Sequence, residues 1–208
     1  MRILLADDHT IVRQGVRALL EKEGFEVVAE AEDGREAVRL AAEVRPDMLV
    51  LDVVMPLLNG VDAARQILRD LPGTRAVLLS MHSEDRYVLE ALRAGVSGFV
   101  LKTRAVSALV EAINEVAKGN TYLSPGVSRA VIAGFLNPNG GQAMPLSARE
   151  RQVLQLIAEG KATKEVAGLL GLSVKTAESH RARIMEKLDI HDTAGLVRYA
   201  IRQGMIEP

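Results

Sequence analysis

Met48-Leu49-Val50-Leu51-Asp52-Val53-Val54-Met55-Pro56 is the stretch on which the fold of the first half turns. Four apolar residues run into Asp52, and Pro56 followed by Asn59-Gly60 then breaks the chain. An apolar run bounded by turn residues reads as a strand buried on both faces. The run ends in an acid, so this reading puts the carboxylate where the strand leaves its sheet.

Outward from that strand, apolar runs alternate with amphipathic stretches. Ile3–Ala6 reads as a strand, and Ile11–Glu21 carries apolar residues at helical spacing. Strand patterns recur at Val27–Ala29, Ala76–Leu79 and Phe99–Leu101, and helical ones at Glu36–Ala42, Val61–Leu71, Tyr87–Ala94 and Val106–Ala117. Five strands alternating with five helices predict parallel crossovers and a doubly wound, flavodoxin-like α/β sheet over residues 1–120.

In such a sheet, ligands bind beyond the carboxyl ends of the strands. Asp7 and Asp8 follow the first strand, Asp52 the third, Ser80 the fourth and Lys102 the fifth. Any one of these would pass as a helix cap or a solvated loop residue. Together they bring three acids, a hydroxyl and an ammonium to one edge. Crowded carboxylates repel, and Mg²⁺ relieves them by taking a few carboxylate oxygens while leaving room for a phosphate oxygen. A carboxylate beside such a cation can attack phosphorus and form an acyl phosphate. Lys102 and the metal would neutralise the transferring group, and Ser80 would donate to one of its oxygens.

Composition narrows the alternatives. The 208 residues are 48% hydrophobic and 25% charged, with no run long enough to span a membrane. Met1 leads directly into Arg-Ile-Leu-Leu-Ala, without a signal-peptide pattern. The absence of cysteine excludes disulfides and thiolate chemistry and is compatible with a reducing cytoplasm. Residues 1–144 carry a net charge of −3 and residues 145–208 of +2, which hints at different partners for two domains.

Residues 121–145 change character. Ser124-Pro125 opens a short amphipathic piece through Phe135, and Asn137–Pro145 has linker composition. Beyond it, Ser147 with Glu150 forms a capping box for a helix that Gly160 stops. Thr163 is expected to cap a second helix ended by Gly171, Ser173 a third running to about Leu188, and Asp192 or Thr193 begins a fourth. Helices joined through Leu170-Gly171-Leu172-Ser173 make a helix-turn-helix in an all-α unit over residues 146–208. Lys175, Arg183 and Lys187 suit phosphate or guanine, and Glu178 can accept from cytosine.

The acidic pair, the Asp-x-x-Met-Pro-x-x-x-Gly run at Asp52–Gly60, Ser80 and the run Ser97–Lys102 resemble the receiver domain of two-component response regulators. The resemblance implies that a sensor histidine kinase phosphorylates Asp52, with Asp7, Asp8, Asp52 and the Val54 carbonyl holding Mg²⁺. It makes Ser80 and Phe99 a switch pair, and Val54 and His82 positions that tune dephosphorylation. Thr103 stands where the family often has proline after the lysine.

The run Leu-Ser-Ala-Arg-Glu-Arg-x-Val-Leu, continuing to His-x-x-x-Ile-x-x-Lys-Leu, is similar to the LuxR-type DNA-binding domain over residues 146–206. That resemblance implies DNA contacts from Thr163, Lys164, Lys175, Thr176, Glu178, Ser179, Arg181, Arg183 and Lys187. It also implies a dimer surface at Asp192, Leu196, Tyr199 and Ala200. His180 matches the motif and reads as a packing or phosphate-contacting residue. The motif more often has valine at Ala177, asparagine at Thr163 and arginine at Asp192.

Receiver plus LuxR-type effector resembles the NarL/FixJ class. That class implies a cytoplasmic transcription factor, not an enzyme, that accepts a phosphoryl group on Asp52 and promotes its own dephosphorylation. Its partners would be the kinase, two-fold double-stranded DNA, a second copy on phosphorylation and, as a further candidate, RNA polymerase. The alternative is a phosphorylation-independent DNA-binding regulator that uses the receiver only to dimerise.

Overall fold

The computed structural model describes residues 1–81, 85–102, 106–125 and 146–206. His82, Thr103, the helix expected through Phe135 and the linker to Pro145 fall outside them. The chain divides into two compact units, Met1–Gly141 and Gln142–Pro208.

In the first unit, strands β1 (Arg2–Ala6), β2 (Glu26–Ala31), β3 (Met48–Asp52), β4 (Arg75–Ser80) and β5 (Gly98–Leu101) alternate with helices. These are α1 (Thr10–Lys22), α2 (Gly34–Val44), α3 (Gly60–Asp70), α4 (Asp85–Arg93) and α5 (Val106–Ala117). All pairings are parallel, in the order β2-β1-β3-β4-β5-β6. The order reverses direction between β1 and β3, so the crevice of the switch point opens between the ends of those two strands.

Every residue of β3 is buried, and period-two alternation divides them between two cores. Leu49 and Leu51 join Ala37, Ala63, Ile67 and Phe99 on one face. Met48 and Val50 join Leu20, Leu109, Ile113 and Val116 on the other.

The sixth strand corrects the expectation of five. Tyr122–Leu123 forms β6, pairing with Gly98 and Phe99. Two residues carry no period that a sequence pattern can register. Ser124 continues the edge: its N–H donates to the Phe99 carbonyl and its hydroxyl accepts from Leu101 N–H.

The second unit holds α6 (Ala148–Ala158), α7 (Thr163–Leu170), α8 (Val174–Leu188) and α9 (Thr193–Arg202). Helix α6 packs on α8 and α9, and α7 packs on α8. The buried residues Val153, Leu154, Ile157, Val166, Ile184 and Leu196 supply its core. Ser147 and Glu150 form the capping box of α6, Ser173 accepts from Thr176 N–H, and Asp192 accepts from Gly195 N–H. Thr163 does not cap α7. Ala162 occupies the N-cap, Thr163 is the first helical residue, and the Glu165 carboxylate reaches back to the Ala162 N–H at 2.7 Å. That reach substitutes for the missing side-chain cap, as the glutamate of a capping box does.

Gly60 fixes how the chain turns out of β3. Its N–H donates to the Val53 carbonyl at 2.9 Å, and a Cβ placed on it would lie 1.9 Å from the Asp52 carbonyl oxygen. Backbone cannot yield as a flexible side chain can, so Gly60→Ala must displace the end of β3. We expect it to destabilise the first unit by about 1–3 kcal/mol, the usual range for overpacking, as read by urea unfolding. Wild-type stability in this variant would refute the close approach.

Candidate functional site

Three carboxylates gather where β1 and β3 end. Asp7 is fully buried and Asp52 nearly so, while Asp8 is exposed on the loop before α1. Ligand-type atoms of Asp7, Asp8, His9 and Asp52 all lie within 4.8 Å of one another. Lys102 reaches in from the end of β5, its Nζ 2.7 Å from both Asp7 Oδ2 and Asp52 Oδ2. The Lys102 N–H donates to the Ser80 carbonyl at 2.8 Å, which ties the lysine's backbone to β4.

The electrostatics follow from crowding. Burial pushes the Asp52 carboxyl up from 3.8 to about 6, with Asp7 and Asp8 adding to the rise and the Lys102 ammonium opposing it. Burial works against the Lys102 ammonium too, but Asp52 and Asp7 outweigh it and hold its pKa above the ordinary value. Three acids share one ammonium, so the pocket is short of positive charge. Oxygen-rich and anionic, it is compatible with a hard divalent cation such as Mg²⁺.

The other expected residues divide into those that converge here and those that do not. Ser80 ends β4 and is buried, and Val54 is half-buried just past Asp52. Phe99 is packed in the core between Ala, Leu and Val side chains, 1% exposed. Two residues at the site escaped sequence reasoning. His9 follows the acid pair, its Nδ1 2.9 Å from Asp8 Oδ1, while its N–H donates to Asp7 Oδ1. Arg13 lies on α1, where an arginine among apolar residues reads as surface, yet it is buried with its Nη1 2.7 Å from the Asp7 carbonyl. Only the neighbouring charges could have signalled either.

In the second unit, α8 presents Lys175, Thr176, Glu178, Ser179, Arg183 and Lys187 to solvent, and Lys164 is exposed on α7. Several are already engaged. Lys187 Nζ lies 2.7 Å from the buried Glu150 carboxylate, and Arg181 donates to Thr193 Oγ1. Burial would raise Glu150, but Lys187 and the Ser147 bonds prevail and hold its carboxyl down at about 2. Ser179 Oγ donates to the Lys175 carbonyl, and Thr176 shares a bond with Ser173. Lys164, Lys175 and Arg183 have no side-chain partner among the described residues.

Two residues of the expected dimer surface do not fit it. Leu196 and Ala200 are fully buried in this unit's own core, and Asp192 caps α9. An apolar stripe has the same spacing whether it faces its own core or a partner. On α9, Thr193, Ala194, Arg198 and Arg202 are exposed instead, with Tyr199 half-buried.

Comparison with known proteins finds a family model for each part of the chain. Residues 3–114 match the response regulator receiver domain, and residues 144–200 match the bacterial regulatory proteins of the luxR family. The chain belongs to the response-regulator family. It is 37% identical to the transcriptional regulatory protein MctR of Rhizobium johnstonii, covering 99% of this chain and 95% of that protein. It is likewise 37% identical to LiaR of Bacillus subtilis, with 99% of each chain covered. Among solved structures, RcsB of Salmonella enterica serovar Typhimurium, bound to promoter rprA with the phosphomimetic BeF3⁻, matches at 30% identity and TM-score 0.60. That match covers 96% of this chain and 97% of RcsB. A LuxR-family response regulator from Aurantimonas sp. matches at 38% identity and TM-score 0.62, covering 65% of this chain and 97% of that one. This response regulator thus combines a receiver with a LuxR-type DNA-binding domain, in the manner of the NarL/FixJ class. No helix among its described residues is long and apolar enough to cross a membrane.

The raised Asp52 pKa sets a pH dependence. A carboxyl with a higher pKa folded than unfolded contributes stability at low pH, and loses it as pH rises through the folded value. For Asp52 the loss falls between about pH 4 and 6, and moving from 3.8 to about 6 corresponds to ~3 kcal/mol at most. In metal-free buffer Asp52→Asn should therefore be more stable than wild type at pH 7.5, with the difference shrinking as pH falls from about 6 to 4. Thermal unfolding across that range measures it. An asparagine variant no more stable than wild type at pH 7.5 would contradict the strained carboxylate.

Proposed function

We propose that this response regulator is switched by phosphorylation of Asp52, donated by a sensor histidine kinase. The observation that carries the reading is the Lys102 ammonium bridging Asp7 and Asp52 at 2.7 Å at the carboxyl edge of the sheet. An ammonium in that position can follow a charge that grows on the Asp52 side without moving its backbone. The Asp52 carboxylate oxygen attacks phosphorus, the bond from phosphorus to the donor breaks, and an acyl phosphate forms on Asp52. Mg²⁺ bound by Asp7, Asp8, Asp52 and the Val54 carbonyl would supply the missing positive charge.

Lys102 then holds one phosphoryl oxygen and the Ser80 hydroxyl donates to another. Ser80 moving toward the new group, with Phe99 packed inward, is the proposed switch. Val54 and His82 are the positions that would tune how fast water removes the phosphoryl group. His9 carries nitrogen, a poorer ligand than oxygen for Mg²⁺, and is better suited to orienting Asp8.

The proposed division of the chain is a receiver over 1–120, a connecting segment over 121–145 and a DNA-binding domain over 146–208. Phosphorylation would favour a homodimer that reads two-fold DNA from the cytoplasm, where RNA polymerase is a further candidate partner. The structure of RcsB bound to promoter rprA in the presence of a phosphomimetic supports a link between phosphorylation and DNA binding. Lys164, Lys175 and Arg183 suit DNA best, since their charges have no side-chain partner among the described residues. Thr163, Thr176, Glu178 and Ser179 would add polar contacts. Arg181 and Lys187 would contribute only after giving up Thr193 and Glu150. The exposed face of α9, with Tyr199 at its edge, replaces Leu196 and Ala200 as the dimer surface.

Intact-mass spectrometry after incubation with Mg²⁺ and a small acyl-phosphate donor tests the central step. One added phosphoryl group is expected on the wild type, and none on Asp52→Asn or without metal. An adduct that survives Asp52→Asn would sink the assignment. Operator binding that is equal with and without phosphorylation would favour the phosphorylation-independent regulator.

A further inference from the structure

We infer that Arg13 is a positioning residue of the phosphoryl-acceptor site, acting through the peptide that joins Asp7 to Asp8. The inference rests on the proposed role of those two acids in holding the cation.

Arg13 is 7% exposed on a helix whose neighbouring residues Ile11, Val12, Gln14 and Gly15 are all exposed. Its guanidinium makes three contacts. Nη1 donates to the Asp7 carbonyl at 2.7 Å, Nη2 donates to Glu32 Oε1 at 2.7 Å, and Nε lies 3.6 Å from Glu30 Oε2. The carboxylate contacts are the weaker ones. The Glu32 side chain is 70% exposed, and Glu30 is shared with Arg17, 2.6 Å away. Ion pairs of that kind contribute little in high dielectric. The bond to the Asp7 carbonyl, by contrast, is buried, where an unsatisfied carbonyl would be costly.

That carbonyl belongs to the Asp7–Asp8 peptide, so its direction sets the angle between the two acids. The rest of Asp7 is already fixed. Its N–H donates to the Ala31 carbonyl, Oδ1 accepts from His9 N–H and Oδ2 from Lys102. Among the described residues, Arg13 supplies the constraint on Asp7 that comes from a helix side chain, and it sets the plane from which Asp8 projects. An octahedral cation tolerates little error in donor angle. A planar fork can hold the carbonyl with one arm while the other is braced on Glu32; a lysine offers one point of attachment. The glutamates accordingly serve to aim the guanidinium.

The test uses the full chain, with Arg13→Met and the charge-preserving Arg13→Lys. Mg²⁺ affinity is measured by calorimetry, folding by thermal melts, and the rate of phosphorylation by a small acyl-phosphate donor as a function of Mg²⁺. Both variants should bind Mg²⁺ about tenfold more weakly, the lower end of what is lost when a metal ligand's supporting partner is removed. Their phosphorylation rate at saturating Mg²⁺ should match wild type, because Asp52, Ser80 and Lys102 are untouched. Unchanged Mg²⁺ affinity in a folded variant overturns the inference, as does wild-type affinity in Arg13→Lys, which would make charge the operative property. A lowered plateau rate also overturns it. A wild type that neither binds Mg²⁺ nor accepts phosphoryl fails the functional reading itself, and the inference falls with it. Should Arg13→Met not fold, Arg13→Lys decides alone.

Discussion

One ammonium between two carboxylates is the contact on which the receiver's chemistry depends. Lys102 holds Asp7 and Asp52 at equal distance, and those residues lie 95 and 50 positions away in sequence. Only the parallel sheet brings them together, because it delivers the ends of β1, β3 and β5 to the same edge. The fold therefore brings like charges together at a cost that burial increases, as the raised Asp52 pKa records. A site built this way is unsatisfied by design: it is complemented by whatever adds positive charge or spreads the negative.

Much of this was legible in the residues. The β3 run announces itself because both of its faces are apolar, and polar or charged residues stand at the ends of β1, β3, β4 and β5. The helical unit was legible for a different reason: Ser147, Ser173 and Asp192 are cap residues, and caps mark boundaries chemically. The failures have equally specific causes. β6 is too short to have a period. Thr163 resembles a cap, but the Glu165 carboxylate already meets the need at Ala162. Leu196 and Ala200 belong to a stripe whose destination no spacing can reveal. Arg13 and His9 are local to the site, yet their roles lie in the direction of a carbonyl and a ring, which composition does not encode.

The helical unit uses charge in the opposite manner. Where the receiver gathers acids around too few cations, Lys187 answers the buried Glu150 one for one, and the glutamate also closes the capping box of α6. A single carboxylate thus joins the start of α6 to the last turn of α8. The end of α8 is anchored to its own unit, while Lys175 and Arg183 remain uncommitted among the described residues.

The two rims of the receiver sheet are finished by different means. Beyond β5, the backbone ladder gives way after two residues of β6 to the Ser124 hydroxyl, which takes the Leu101 N–H that another strand would otherwise accept. At the opposite rim, β2 carries Glu26 exposed and Glu30 bound to arginines. Open parallel sheets are templates for further strands, and neutral edges invite chains to stack into aggregates. Here a hydroxyl ends growth on one side and charge discourages it on the other, so the sheet resists polymerising through its edges.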